Sequence, residues 1–452
     1  MAPSLLNALT VQGRVHGNRA MEFSGFHHTI SAKPASLLPV NDGHGGNLPG
    51  KSLQARKSKE KMTAMDIQPF HIEVLQSDLD DLKHRLAQTR WPDEPVEAAW
   101  AYGTNRSYLQ ELLTYWQSQF DWRTVEKGLN RWKHYRTHIN GLGIHFIHER
   151  AKESKSLPLL LTHGWPGTFW EMLKIIPLLT DPASNGGSPE DAFDVIIPSL
   201  PGYGFSDRPR GPGPWNVHTL WAELMSRLGY ERFGAYGSDF GASVTTDLAR
   251  SYPDRVIGIH LTTASDIAWP SPLPDPSDLS EDEKDFLRRS EWWDQEEGGY
   301  RHEQRTRPQT LAYGLNDSPV GLAGWLVEKF RAWSDCQGEI ERRFSKEELL
   351  TVVMLYWVTQ TINSSMRDYY ERKHHPIVWP DAHFIRVPTA VALFLKDFPM
   401  PREWVQRSYN LQRWTEIASG GHFPAHEEPN ILAEEIRTFF RQFRSMSGKN
   451  LL

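Results

Sequence analysis

Cysteine is almost missing from this 452-residue chain: Cys336 stands alone, which excludes an internal disulfide framework and any multi-cysteine metal site. An excess of one charge is missing too. With 50 Lys and Arg against 56 Asp and Glu, the formal net charge of -6 offers no basic surplus for phosphate backbones or anionic lipid, and no nucleic-acid partner is expected. Long apolar runs are also absent, the longest patches (LPLLL, VALFL) being strand-sized, well below the roughly 20 residues of a membrane-spanning helix. No membrane span is expected. What is present is a chain with 39% hydrophobic residues, rich in Trp, Phe and Leu and long enough to fill a sizeable core. It reads as a folded, soluble globular protein.

The first 64 residues differ from the rest. They are rich in Gly, Ser, Pro, His and Asn, contain few acids, and scatter Arg14, Arg19, Lys33, Arg56 and Lys57 without amphipathic periodicity, so a disordered tail is expected over 1–64. No apolar run precedes a small-residue cleavage site, which speaks against secretion; the expected location is cytoplasmic, with mitochondrial import of a basic, acid-poor leader as the minor reading. Residues 65–150 read as a mostly helical module. Leu75, Leu79, Leu82 and Leu86 recur at helical spacing up to TRWPDEP, where proline blocks continuation. SYLQELLTYWQSQFDW and WRTVEKGLNRWKHYRTHI read as further amphipathic helix, followed by a strand in GLGIHFIHER. Packing accounts for Trp91, Trp116, Trp122 and Trp132 of this module.

From Leu157 the pattern changes to short apolar runs that end in glycine-rich turns: LPLLLTHGWPG, FDVIIPSLPGYGFSD, FGAYGSDFGAS and RVIGIHLTT. Helix-length segments separate them (WEMLKIIPLLT; TLWAELMSRLGY; SVTTDLARSYP), which predicts an α/β core with a parallel sheet. That core comes in two parts, 151–265 and 386–446, the second holding VPTAVALFLKDFP and the terminal helix NILAEEIRTFFRQF. The block 266–385 between them is helical in character and is expected to form a cap, or lid, over the site. Its Trp292, Trp293, Trp325 and Trp357 suggest an apolar pocket.

In GAYGSDFGAS a strand feeds a tight turn that opens a helix, and Gly237 and Gly241 let the two approach closely. Such an elbow thrusts its central side chain out at the C-terminal edge of the sheet. Many hydrolases carry serine there; this chain carries Asp239. A merely helix-capping Asp would not require the flanking glycines. The carboxylate has a chemical rationale. Serine attacking an epoxide carbon would be left as an ether that no active-site water can hydrolyse, whereas a carboxylate is left as an ester, and only the ester turns over.

Hydrolysis of that ester needs a base, an acid to orient it and donors for an oxyanion. In α/β-hydrolases these partners follow in the order nucleophile, acid, histidine. His422, after the Gly-Gly pair of ASGGHFPAHEEP and before the terminal helix, can reach over the elbow as the base; His426 competes but lies inside the Pro-marked helix start. Pro424 interrupts the helical presentation a zinc pair would need, and no metal is expected there. For the acid, Asp397 stands just past the strand VALFL, with Glu403 in reserve. The turn HGWPG can aim the Trp165 N–H inward and the elbow supplies the Phe240 N–H, while His163 reads as structural.

HGWPG, LPGYGFSD, GSDFGA, LNDSPVGLAGW, LLTVVMLYW and GGHFPAHEEP, in this order and preceded by the module bearing TRWPDEP, closely resemble the microsomal-type epoxide hydrolases over about residues 67–443. The resemblance implies an α/β-hydrolase fold with a helical cap insertion and an N-terminal mostly helical module, no cofactor, and conversion of a small apolar epoxide to a vicinal diol. It also implies that two cap tyrosines donate to the epoxide oxygen, by motif Tyr300 in EGGYRHEQ and Tyr369 in SSMRDYYE, with Tyr370 adjacent as the alternative. Animal members carry an N-terminal membrane anchor, whereas the tail here is polar, which predicts a soluble enzyme; homodimerisation is left open. Two alternatives stand beside this reading: a haloalkane dehalogenase, against which Phe240 argues because that family looks for a halide-binding Trp there, and a biosynthetic enzyme dedicated to one natural-product epoxide.

Overall fold

The structure, a computed structural model, describes residues 67–444 except 154, 214, 264–267, 270–272 and 380–383. The tail expected over 1–64 and the boundaries expected at 265/266 and 446 lie outside the described residues.

The first module follows its sequence signals in part. After a short strand β1 (Gln68–Pro69), helix α1 (Gln76–Ala87) buries Leu79, Leu82 and Leu86, but Leu75 sits at the N-cap and is 65% exposed. Helix α2 (Arg106–Ser118) starts where the Asn105 side chain accepts the Tyr108 N–H, and α3 (Trp122–Leu129) where Asp121 accepts from Arg123 and Thr124. The helix expected through Ile139 stops earlier. His134–Ile139 is strand β2, which turns back through Asn140 and Gly141, both at positive φ, onto β3 (Leu142–Glu149). An Asn-Gly pair is the strongest short hairpin signal, and it outweighs the helical pattern before it.

These strands join the core rather than standing apart from it. One nine-stranded sheet has the order β1-β2-β3-β5-β4-β6-β7-β8-β9, with β4 (Leu157–Thr162), β5 (Phe193–Pro198), β6 (Phe233–Gly237), β7 (Val256–Leu261), β8 (Ile385–Phe394) and β9 (Tyr409–Ile417). Pairing is antiparallel from β1 to β5 and parallel from there on. Parallel strands are covered on both faces, which explains their near-continuous apolar runs: Leu159, Leu160, Leu161, Val195, Ile196 and Ile197 are fully buried. Strand β9 was not expected; as an edge strand with mostly half-buried residues it carries no such run.

Helices α4 (Ile176–Thr180), α5 (Val217–Arg227) and α6 (Phe240–Ser251) connect the first core strands. The helix expected across WEMLKIIPLLT is instead a 3-10 turn, Phe169–Met172, followed by the short α4, whose first turn contains Pro177. Proline lacks the N–H that a continuous helix would need at that point. The cap comprises α7 (Glu281–Glu296), α8 (Gly299–Thr306), α9 (Pro308–Leu315), α10 (Pro319–Trp333), α11 (Lys346–Thr359) and α12 (Ile362–His374), the last two separated at Gln360, φ +52°. Beyond β8 come α13 (Arg402–Ser408), α14 (Pro424–Glu427) and α15 (Pro429–Arg441). None of the described helices is long and apolar enough to cross a membrane.

Candidate active site

Strand register decides what meets at the sheet's edge. Thr162, the last residue of β4, pairs with Gly237, the last of β6, so HGWPG and the elbow leave the sheet side by side. Phe394 of β8 pairs with Ile417 of β9, and Asp397 and His422 follow within a few residues at the same edge.

The elbow is sharp. Asp239 has φ +50° and ψ -125°, an unfavourable conformation for a residue with a side chain, costing on the order of 1–3 kcal/mol. Close packing maintains it: a Cβ on Gly237 would lie 2.2 Å from the Gly241 carbonyl oxygen, and one on Gly241 would lie 2.0 Å from that of Thr162. Gly164 is equally constrained, since a Cβ there would come within 2.3 Å of the Asp239 side chain. Asp239 stands at the N-cap position of α6, yet its side chain makes no capping hydrogen bond. Its Oδ1 accepts the Trp165 N–H at 2.8 Å, and its Oδ2 lies 3.6 Å from His422 Nε2. The other imidazole nitrogen, Nδ1, is 3.0 Å from Asp397 Oδ1. Asp397 is held in turn by its own N–H to the Phe394 carbonyl and by the Thr263 hydroxyl at 3.4 Å.

Burial alone would lower the His422 pKa. The Asp397 carboxylate, through charge and hydrogen bond, and then Asp239 and Glu171 override it and raise the imidazole to about 9. Burial likewise opposes ionisation of Asp397, but the charge of His422 and its hydrogen bond hold that carboxyl below its ordinary value.

Two cap tyrosines close over this cluster. Tyr300 on α8 stacks on Trp165 with centroids 5.3 Å apart and planes at 6°, and Tyr369 on α12 meets Trp165 edge-on at 5.7 Å and Phe240 at 4.6 Å. Both are buried; burial first, and for both also the Asp239 carboxylate, raise their phenol pKa values. The Tyr369 hydroxyl is buried without a hydrogen-bond partner at standard distance. Tyr370 points elsewhere, its ring tilted against that of His374 with centroids 4.2 Å apart.

The structure thus brings together Asp239, His422, Asp397, Trp165, Phe240, Tyr300 and Tyr369. It sets the reserve residues apart. Glu403 is exposed on α13. His426 is sandwiched between Trp170 and Phe344 beside Lys174 and Glu348. His163 is buried, with its ring against the Gly164 carbonyl and its other nitrogen accepting the Leu200 N–H. Among the described residues no group of three His, Cys, Asp or Glu side chains is placed to hold a metal. A surface cleft of about 640 Å³ lined by Asp207, Arg208, Arg210 and Arg367 includes none of the site residues.

A profile described as Epoxide hydrolase N terminus matches residues 67–172, and one described as alpha/beta hydrolase fold matches 158–309. Epoxide hydrolase 1 of Sus scrofa is 37% identical over 437 residues, spanning 91% of this chain and 94% of that protein. The chain belongs to the epoxide hydrolase family. Its fold matches the crystal structure of juvenile hormone epoxide hydrolase from Bombyx mori with a TM-score of 0.71 at 33% identity, covering 85% of this chain and 95% of that one. Aspergillus niger epoxide hydrolase matches at a TM-score of 0.74 and 31% identity, covering 84% and 97%.

Within this epoxide hydrolase family member, sequence reasoning missed three groups around the cluster. Glu171 is buried behind the elbow with its carboxyl filling the space a Gly167 side chain would take, and burial first, then the Asp239 charge, against the opposing pull of His422, raise it to about 8. Lys329 of α10 places its ammonium 4.8 Å from the centroid of the Tyr300 ring. Glu427 accepts backbone N–H groups around His422. The position of Glu171 four residues after Gly167 was a usable signal; nothing in the sequence marks the other two.

Proposed function

We propose that the protein converts an epoxide and water to a vicinal diol through a covalent ester on Asp239. The carboxylate Oδ2 attacks an epoxide carbon, the strained C–O bond breaks, and the leaving alkoxide takes a proton from Tyr300 or Tyr369. The imidazolium of His422 gives its proton back to the tyrosinate; the neutral ring, oriented by Asp397, then removes a proton from water, the hydroxide adds to the ester carbonyl carbon, and collapse passes the acid proton to the departing alkoxide, releasing the diol and restoring the carboxylate and the imidazolium. The Trp165 and Phe240 N–H groups hold the transient oxyanion, each worth about 3 kcal/mol. The observation that carries this reading is the pair of distances on one carboxylate: 2.8 Å from Oδ1 to the Trp165 N–H and 3.6 Å from Oδ2 to His422 Nε2. A donor and a base thus address the same carboxyl group, as acyl cleavage of its ester requires. Trp165, Phe240 and Trp333 around the cluster suit a small apolar epoxide.

Single turnover of styrene oxide in heavy-oxygen water tests the scheme: the label should enter the Asp239 side chain, detectable by mass spectrometry of a digest. Asp239→Ala should form no diol, and His422→Gln should give one burst and retain the ester. Label found only in the diol, or normal steady-state turnover by His422→Gln, overturns the reading. Halide release from 1-chloroalkanes in place of diol formation would instead identify a dehalogenase.

A further inference from the structure

The loop that carries His422 is fastened at every amide, and the fastenings come from only two places. The Gly420 N–H bonds to Asp335 Oδ2 at 3.2 Å and the His422 N–H to the Trp333 carbonyl at 2.9 Å, both in the segment that ends cap helix α10. The Gly421 N–H bonds to Glu427 Oε2 at 3.1 Å and the Phe423 N–H to Glu427 Oε1 at 3.0 Å. Glu427 Oε2 also accepts the Asp335 N–H at 2.8 Å, so one carboxylate ties the base loop to the cap. Its side chain has no exposed surface, and Arg343 lies 3.7 Å from Oε2 while binding Asp335 and Glu428.

This arrangement leaves little freedom. A Cβ on Gly421 would come within 2.4 Å of the Trp333 carbonyl oxygen, and Gly420 adopts φ +89°, so the chain passes too close to the cap for any larger residue. A buried N–H left unpaired is costly, so a loop with all four amides bonded is held much more tightly than the same loop with two released.

We propose that Glu427 is a positioning residue for the hydrolytic half of the reaction, clamping the His422 loop to the cap so that the imidazole stays aimed at the Asp239 ester. The proposal rests on the two-step reading above. Ester formation uses Asp239 and the cap tyrosines, which Glu427 does not touch; water activation uses His422, which it brackets on both sides. Loss of the clamp therefore slows one step and spares the other.

Acid-quenched single turnovers of styrene oxide resolve the two steps, with ester read by mass spectrometry of a digest and diol by chromatography. Glu427→Gln replaces one acceptor oxygen by an NH₂ facing an N–H. It should slow ester hydrolysis about 100-fold, the size expected of a misplacement near 1 Å, with ester formation within about threefold of the parent. Gly421→Ala displaces the same loop against Trp333 without altering Glu427, and should give the same selective loss; it decides the matter if Glu427→Gln does not fold. A general loss of packing would instead lower both rates together. Equal slowing of both steps, or unchanged hydrolysis, overturns the role of Glu427. If His422→Gln itself retains no ester, the two-step reading fails; if it does and the clamp variants do not, only the clamp fails.

Discussion

Forming the ester should by itself turn His422 into a base, and Asp239→Asn isolates that effect because the amide, like the ester, is uncharged and of similar shape. In the resting protein the imidazole, raised to about 9, is protonated at neutral pH. Unit charges 3.6 Å apart interact by on the order of 4–5 kcal/mol at an effective dielectric of 20, an upper bound because both charges are spread over two atoms. Removing the Asp239 charge should therefore lower the His422 pKa by about 1–3 units, at 1.36 kcal/mol per unit, while Asp397 keeps it from falling to the value that burial alone would give. The sign extends to stability. A histidine whose folded pKa lies above its unfolded value contributes stability that is full below about pH 6.5 and is lost as pH rises through about 9, and the Asn variant should show a smaller loss over that window. NMR titration of histidine Cε1–H signals, with His422→Gln to assign the resonance, measures the shift directly. A His422 pKa within about 0.3 units of the parent would refute the argument, since it would mean the two groups are not electrostatically coupled.

Two further outcomes follow from packing. Tyr300→Phe and Tyr369→Phe should each slow ester formation by about 100-fold without altering hydrolysis of the preformed ester, whereas Tyr370→Phe, whose ring lies against His374, should stay within about twofold in the same single-turnover assay. Gly237→Ala places a methyl 2.2 Å from the Gly241 carbonyl oxygen and should destabilise the protein by about 1–3 kcal/mol or prevent its accumulation, read as a fall in melting temperature; an unchanged value would show that the elbow can relax.

Particular residues show how much of this was legible in the sequence. The elbow was readable because its demand is steric and local: glycines two before and two after Asp239, between an apolar run and a helical one. The parallel strands were readable because burial on both faces writes continuous apolar runs. Strand β2 was misread as helix because the rule that decides it, an Asn-Gly turn, lies beyond its end. Edge strand β9 was invisible because half-exposed residues need not be apolar. Asp397 and His422 could be proposed from chain order, but Tyr369 could be separated from Tyr370 only by which one α12 turns towards Trp165. Glu427 escaped because its tie to the cap runs to Asp335, 92 residues away, which no periodicity records, whereas Glu171 stands four residues after Gly167, close enough to have been noticed.

Charge explains why the work is divided between core and cap. The core gathers Asp239, Asp397, Glu171 and His422 at one edge of the sheet, where water is largely excluded. Burial opposes ionisation of Glu171, so the negative charge facing the imidazolium comes chiefly from Asp397 and Asp239. Esterification removes one of those negative charges, and the same Asp239 charge that helps raise His422 also helps raise Glu171. Both groups therefore become more acidic at the moment a base is needed, without any movement of the chain. Such coupling requires short, fixed separations, because interaction energy falls with distance and collapses once water enters. Neither β8 nor β9 can fix the base alone, since four residues of chain separate Ile417 from His422. The cap completes the lock: the Trp333 carbonyl and Asp335 hold the loop, and the Trp333 ring packs between His422 and Tyr300, which in turn meets Tyr369. A cap that only covered the pocket would need no hydrogen bonds to the base loop.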